Sequence, residues 1–147
     1  MSEMQLIAEL RLPALPDRLA LVRSCVREAA KLAGCDETTV ENLVLAVNEA
    51  CMNVIQHGYG FATGQEMLLR VRKEQEREQE RGALVFELFD HAQPVIVEEV
   101  KPRPLDEIRP GGLGVHLIRT IMDEMTFVEP PPGFGNLLRM VKRIEKD

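Results

Sequence analysis

The sequence predicts an α+β domain of two layers, a two-layer α/β sandwich in which helices cover a sheet. Its elements read as one strand, two helices, two strands, an irregular segment, one helix and two strands. Runs of strands segregated from helices suit that architecture better than a doubly wound sheet. The second helix, from Asp36 to Tyr59, carries a broad apolar stripe, the mark of an element that lies on a core. With 147 residues and no shift in composition, one domain over 1–147 is expected.

Taken in order, residues 4–12 (MQLIAELRL) alternate apolar and polar side chains from Leu6 onward, the period of a strand with one buried face, and Pro13 ends it. Pro16 and Asp17 open a helix, because proline suits the first turn and an acid there favours the dipole. Leu19, Val22, Val26, Ala29 and Ala33 then recur at helical spacing, and Gly34 is a stop. The long helix follows, with Asp36 or Thr38 as its N-cap; Thr38 and Glu41 have the spacing of a capping box. Val40, Leu43, Val44, Val47, Cys51, Val54 and Ile55 form its stripe, and the HGYG run ends it.

Met67–Val71 and Ala83–Asp90 read as strands around KEQEREQERG, which is either two extended strand ends or a solvated hairpin loop; the loop is the simpler expectation. Pro94, Pro102, Pro104 and Pro110 then interrupt a loop of roughly 20 residues, a length usually tied to function or mobility. Gly111-Gly112-Leu113-Gly114 leads into the helical VHLIRTIMDEM, with Val115, Ile118, Ile121, Met122 and Met125 on one stripe. MTFVEP and NLLRMVKRI are two more strands around a PPGFG turn.

The totals exclude several functions. A net charge of −6 and the lack of any basic cluster with interleaved aromatics exclude nucleic acid as a partner. No apolar run approaches a membrane span, and MSEMQLIAELRLP lacks the layout of a secretory signal, so no membrane is expected and the location is cytoplasmic. Cys25, Cys35 and Cys51 are odd in number and lack CxxC spacing, so they read as small apolar residues rather than as metal ligands or a disulfide.

Glu49, Asn53 and His57 recur at i, i+4 and i+8 on the long helix, away from its stripe. Leu45, Ala46, Ala50 and Met52 around Glu49 are too apolar for a solvated face, so the helix is expected to be covered on both sides. A carboxylate and an amide there need partners, since burying either unpaired costs about 1–3 kcal/mol. A ligand could supply them, and so could water or a nearby loop. Downstream, glycines at a helix N-terminus either bring backbone N–H groups close to phosphates or merely turn the chain. Asp90, at a strand end between the two stretches, makes a third station.

Those stations carry a resemblance. Glu49-Ala50-Cys51-Met52-Asn53-Val54-Ile55-Gln56-His57-Gly58-Tyr59 resembles the N-box E-A-x-x-N-x-x-x-H-x-Y of the bacterial anti-sigma-factor serine kinases, the RsbW-like group of the GHKL (Bergerat) nucleotide-binding fold. Gly111-Gly112-Leu113-Gly114-Val115-His116-Leu117-Ile118-Arg119, followed by Met122-Asp123-Glu124, is similar to that group's second glycine box, and Gly135-Asn136-x-Leu138 to its last strand. The resemblance runs from Leu15 to Ile144.

It implies a Bergerat fold with a mixed, mainly antiparallel sheet and a protein-serine kinase using ATP and Mg²⁺. On the matching positions, Glu49 would be the general base and Asn53 would give its side-chain oxygen to Mg²⁺. Asp90 would accept from the adenine amino group, Gly112 and Gly114 would flank the phosphates with Leu113 and Val115 in the same nucleotide-binding run, and Arg109 in the lid is a candidate phosphate contact. His57 would order the helix end, while His91 and His116 have no evident partner. The implied partners are a STAS-domain anti-anti-sigma protein as phosphoryl acceptor, a sigma factor or related target held inactive, and a second copy in a homodimer.

One position departs from the family. Its first glycine box reads D-x-G, and here Asp90 is followed by His91 and Ala92. A methyl group at Ala92, in the base pocket, is tolerable at negative φ but crowds the site if φ must be positive or the ligand must come close. Ala92 leaves a non-catalytic regulatory binding module with a weakened nucleotide pocket as one alternative; a switch kinase that phosphorylates a STAS scaffold is another, independent of Ala92.

Overall fold

The computed structural model describes residues 2–76, 81–95 and 112–144. The alternating stretches pair into one five-stranded sheet: β1 (Ser2–Pro13), β2 (Glu66–Glu76), β3 (Arg81–Asp90), β4 (Glu124–Val128) and β5 (Asn136–Ile144), in the order β1-β2-β3-β5-β4. Among the described residues every pairing is antiparallel. Among the described residues three helices lie on one face: α1 (Leu19–Leu32, preceded by a 3₁₀ turn at Pro16–Arg18), α2 (Glu37–Asn53) and α3 (Gly112–Ile121). This is an α/β arrangement of two layers with an antiparallel sheet, as the resemblance to the GHKL fold implies.

Period dictates the layers. Leu69, Val71, Leu84, Phe86, Leu88, Leu138 and Met140 alternate inward along their strands and share one core with Val22, Val26, Leu43, Val47, Cys51 and Ile118 from the helices. A smaller cluster on the opposite face, Leu68, Phe89 and Leu137 with Phe134, fixes the ends of β3 and β5 from outside. Arg70 lies 5.0 Å over the Phe89 ring and pairs with Glu9 at 3.3 Å. Such surface pairs contribute about 0–1 kcal/mol, so the apolar cluster does most to place the β3 end.

Asp36, not Thr38, caps α2: its Oδ1 accepts from Thr39 N–H at 2.7 Å, and that bond holds its carboxyl below the usual range. Glu41 is drawn away from any capping box by Arg27 of α1, 3.0 Å away. The charged stretch expected as a loop is strand on both sides, with Gln75 opposite Gly82 and Glu76 opposite Arg81; residues 77–80 lie outside the described residues. Backbone pairing decided this outcome, because Ser2–Gln5 also pairs with β2 there and the ladder needs no apolar side chains.

The third helix is shorter than its stripe. It stops at Ile121, where Lys142 Nζ donates to the Ile121 carbonyl and Asp123 accepts from Arg143 N–H, so Met125 reaches the core from β4 instead. Helix α2 is flanked by α1 and α3 and backed by β3, as a helix covered on both sides requires, although Leu45 remains 44% exposed. Among the described residues no helix is long and apolar enough to cross a membrane.

The three thiols differ in ways that can be read chemically. Cys51 is fully buried in α2, and burial pushes its thiol up to about 12, whereas Cys25 and Cys35 are half-buried. Thiolates react and thiols do not, so a maleimide reagent should label Cys25 and Cys35 of the native protein and reach Cys51 only through unfolding. Peptide mass mapping over time checks this; labelling of Cys51 as fast as Cys35 would contradict the packing described.

Candidate functional site

The site forms where α2 ends. Glu49 and Asn53, one turn apart, are both half-buried, and the start of α3 lies directly on them. A Cβ added at Gly114 would stand 3.1 Å from Glu49 Oε2 and 3.5 and 3.6 Å from the amide nitrogen and oxygen of Asn53. A side chain at position 114 would press on the carboxylate and oblige it to shift by a few tenths of an ångström. The positive end of the α3 dipole thus adjoins Glu49 and Asn53, a setting that favours negative charge.

Immediately after Asn53 the helix widens into a π turn, Val54–Gly58, closed by Tyr59 N–H on the Val54 carbonyl at 2.9 Å. The extra residue breaks the i, i+4, i+8 register, and His57 is exposed rather than stacked below Asn53. The turn also aims Tyr59 across the sheet: its hydroxyl donates to the Glu66 carbonyl at 2.6 Å and accepts from His91 N–H at 2.7 Å. Burial raises the phenol above its ordinary pKa, which keeps the donor proton in place. One side chain therefore ties the end of α2 to the end of β3.

Asp90 ends β3 and is 5% exposed. Its Oδ1 accepts from Ala92 N–H at 2.9 Å and from Asn136 Nδ2 at 3.0 Å. Desolvation raises its carboxyl above the ordinary range, and those two bonds oppose that rise without cancelling it. A buried carboxylate strained in this way can accept strongly from a ligand's N–H.

Ala92 is 8% exposed, and Phe61 is the only non-glycine among the described residues with positive φ, so Ala92 occupies ordinary backbone space. A Cβ on Gly58 would meet the Ala92 methyl at 3.3 Å, so the methyl lies against the glycine that follows His57. From the other side Gly135 lies against the Ala92 carbonyl so closely that a Cβ there would land on that oxygen, while Gly135 N–H donates to the Asp90 carbonyl at 2.7 Å.

The motif residues thus fall into two stations bordering the end of α2. Glu49, Asn53 and Gly114 form one, with Gly112 and Leu113 in the first turn of α3 and Val115 half-buried beside them; Asp90 and Ala92 form the other. Arg109, Gly111 and the proline-rich lid lie outside the described residues. His91 gains the partners it lacked in the sequence reading: Nδ1 donates to the Gly133 carbonyl at 2.7 Å and the ring stacks on Phe134 at 4.8 Å. His116 is exposed. Gly58, Tyr59, Gly135 and Asn136 shape the second station; each lay inside a quoted motif, but their contacts cross between elements that no local spacing connects.

Comparison with known proteins shows the family. The family described as the histidine kinase-like ATPase domain matches residues 12–142. The chain is similar to the serine-protein kinase RsbW of Bacillus pumilus (strain SAFR-032), at 29% identity over 100% of this chain and 91% of that one. It is similar to the proteins of the same name from Bacillus velezensis, at 31% identity, and Bacillus subtilis (strain 168), at 30%, each covering 80% of this chain and 74% of the relative.

Asp90 makes a stability prediction that separates site from scaffold. Its folded pKa lies above the unfolded value, so its contribution is fully present below the unfolded carboxylate range and is lost as pH rises through the folded pKa. Asp90→Asn keeps an acceptor at Oδ1 and removes the buried charge. Its melting temperature should match wild type in acid and exceed it at neutral pH. A variant less stable than wild type at neutral pH would contradict the assignment of a strained carboxylate.

Proposed function

The chain belongs to the histidine kinase-like ATPase family and is related to the RsbW-type kinases, and on that premise we propose that it is an ATP- and Mg²⁺-dependent protein-serine kinase and anti-sigma factor of a partner-switching module. It acts as one domain over residues 1–147, as a homodimer in the cytoplasm. It holds a sigma factor or related target inactive and phosphorylates a serine of a STAS-type anti-anti-sigma protein. The observation that carries this reading is the seating of Gly114 on Glu49 and Asn53, which brings the two longest motifs together.

In this reading Glu49 takes the proton from the serine hydroxyl as its oxygen bonds to the γ-phosphorus, and the bond to the bridging oxygen breaks to leave ADP. Glu49 has no hydrogen-bond or ion-pair partner among the described residues, which leaves its carboxylate available as a base. Asn53 offers one amide oxygen to the metal. A single amide oxygen suits Mg²⁺, an ion that keeps waters and takes phosphate oxygens. When bound, that ion neutralises phosphate charge. Asp90 accepts from the adenine amino group, and the first turn of α3, from Gly112 to Val115, borders the phosphates, with Arg109 as a further phosphate contact.

The competing reading, a non-catalytic binding module, requires Ala92 to fill the base pocket. Its methyl lies against Gly58 and its φ is not positive, the backbone setting in which a methyl group is tolerable, which favours the kinase reading. A switch kinase acting on a STAS scaffold would use the same residues, and the partner recovered with the protein separates the two.

Glu49→Gln should leave ATP affinity near wild type and slow transfer to a STAS-protein serine by about 10²–10⁴-fold. Single-turnover transfer of labelled phosphate measures this, and transfer at the wild-type rate would remove Glu49 from the role of base.

A further inference from the structure

Asn136 opens β5 directly opposite Asp90 and is 6% exposed. Its carboxamide is used at both ends. Nδ2 donates to Asp90 Oδ1 and to the Gln93 carbonyl, each at 3.0 Å, and Oδ1 accepts from Val95 N–H at 2.8 Å. A hydroxyl at this position has one proton and cannot make both donations while also accepting at that reach. With Ala92 N–H also on Oδ1, both donors converge on a single carboxylate oxygen; among the described residues no hydrogen bond reaches Oδ2.

The geometry points to Asn136 as the positioning residue that sets base specificity: it pins one oxygen of Asp90 so that the other is offered to an amino-bearing nucleobase, and it ties that carboxylate to the backbone of residues 93–95 as the chain leaves the pocket. The inference rests on the nucleotide reading above and adds to it how the acceptor is kept an acceptor. Nδ2 can only donate, so it favours the charged carboxylate over the protonated one. A base with a carbonyl in place of the amino group then meets Oδ2 oxygen to oxygen, and a buried mismatch of that kind discriminates strongly. A carboxylate at position 136 would reverse this logic. Two facing carboxylates share a proton, one oxygen becomes a donor, and the carbonyl-bearing base gains a partner.

The test is calorimetric titration of ATP and GTP into wild type, Asn136→Asp and Val95→Pro, with amide hydrogen exchange at Ala92 in the nucleotide-free proteins. The Val95 side chain is 38% exposed, so Val95→Pro removes the N–H that Asn136 accepts and spares the core. Wild type should prefer ATP, and Asn136→Asp should lose at least about tenfold of that preference. Val95→Pro should lose a smaller part, and exchange at Ala92 should speed up in both variants. A folded Asn136→Asp with the wild-type preference overturns the inference and leaves the nucleotide reading standing. If Asn136→Asp does not fold, Val95→Pro decides: unchanged preference with unchanged exchange at Ala92 overturns it as well. Wild type that binds neither nucleotide overturns both readings together.

Discussion

The end of β3 is clamped between two glycines, and the second station depends on that clamp. Gly135 lies on the Ala92 carbonyl and Gly58 against the Ala92 methyl, so three segments distant in sequence meet at backbone distance. Close packing of this kind tolerates no added volume, because the neighbour of Gly135 is backbone rather than the movable tip of a side chain. From it follow the position of Asp90, the reach of Asn136 across to β3, and the bond from Tyr59 to His91 N–H. The outer cluster of Phe89, Phe134 and Leu137 holds the same seam from the far side of the sheet.

Scaffold and site divide cleanly along α2. Its inward face, Leu43, Val47 and Cys51, is at 0% exposure and belongs to the core. Its other face carries Glu49 and Asn53, half-buried under the beginning of α3, and then gives way to the π turn. Regular helix places the two polar groups one turn apart; irregular helix frees Tyr59 to cross to the sheet. Neither feature would serve without the other, since a plain α-helix continuing past Asn53 would point the phenol elsewhere.

Much of this was legible in the sequence because it is local. The apolar period of α2, the alternation in β3 and β5 and the proline and acid at the start of α1 fix the elements and their layers. The long motifs around Glu49 and Gly114 identified the family. The misreadings have a common origin in tertiary contacts: Arg27 draws Glu41 from the capping box, pairing with β1 and β3 extends the charged end of β2, and Lys142 and Asp123 stop α3 before its stripe runs out. The surroundings of Ala92 could not be read from sequence either, since its methyl lies against Gly58, a position with no visible link to it until the two segments meet.

The most direct test of the account is the melting temperature of the purified protein with ATP, ADP and GTP, each with and without Mg²⁺, for wild type and Asn53→Ala. With nucleotide about 100-fold above Kd, linkage contributes roughly 2.7 kcal/mol, a rise of about 5–10 °C for a domain of this size. The account predicts that rise for the adenine nucleotides, dependent on Mg²⁺, absent with GTP and abolished by Asn53→Ala. No rise with any nucleotide, or an equal rise with GTP, would contradict a base pocket built on Asp90.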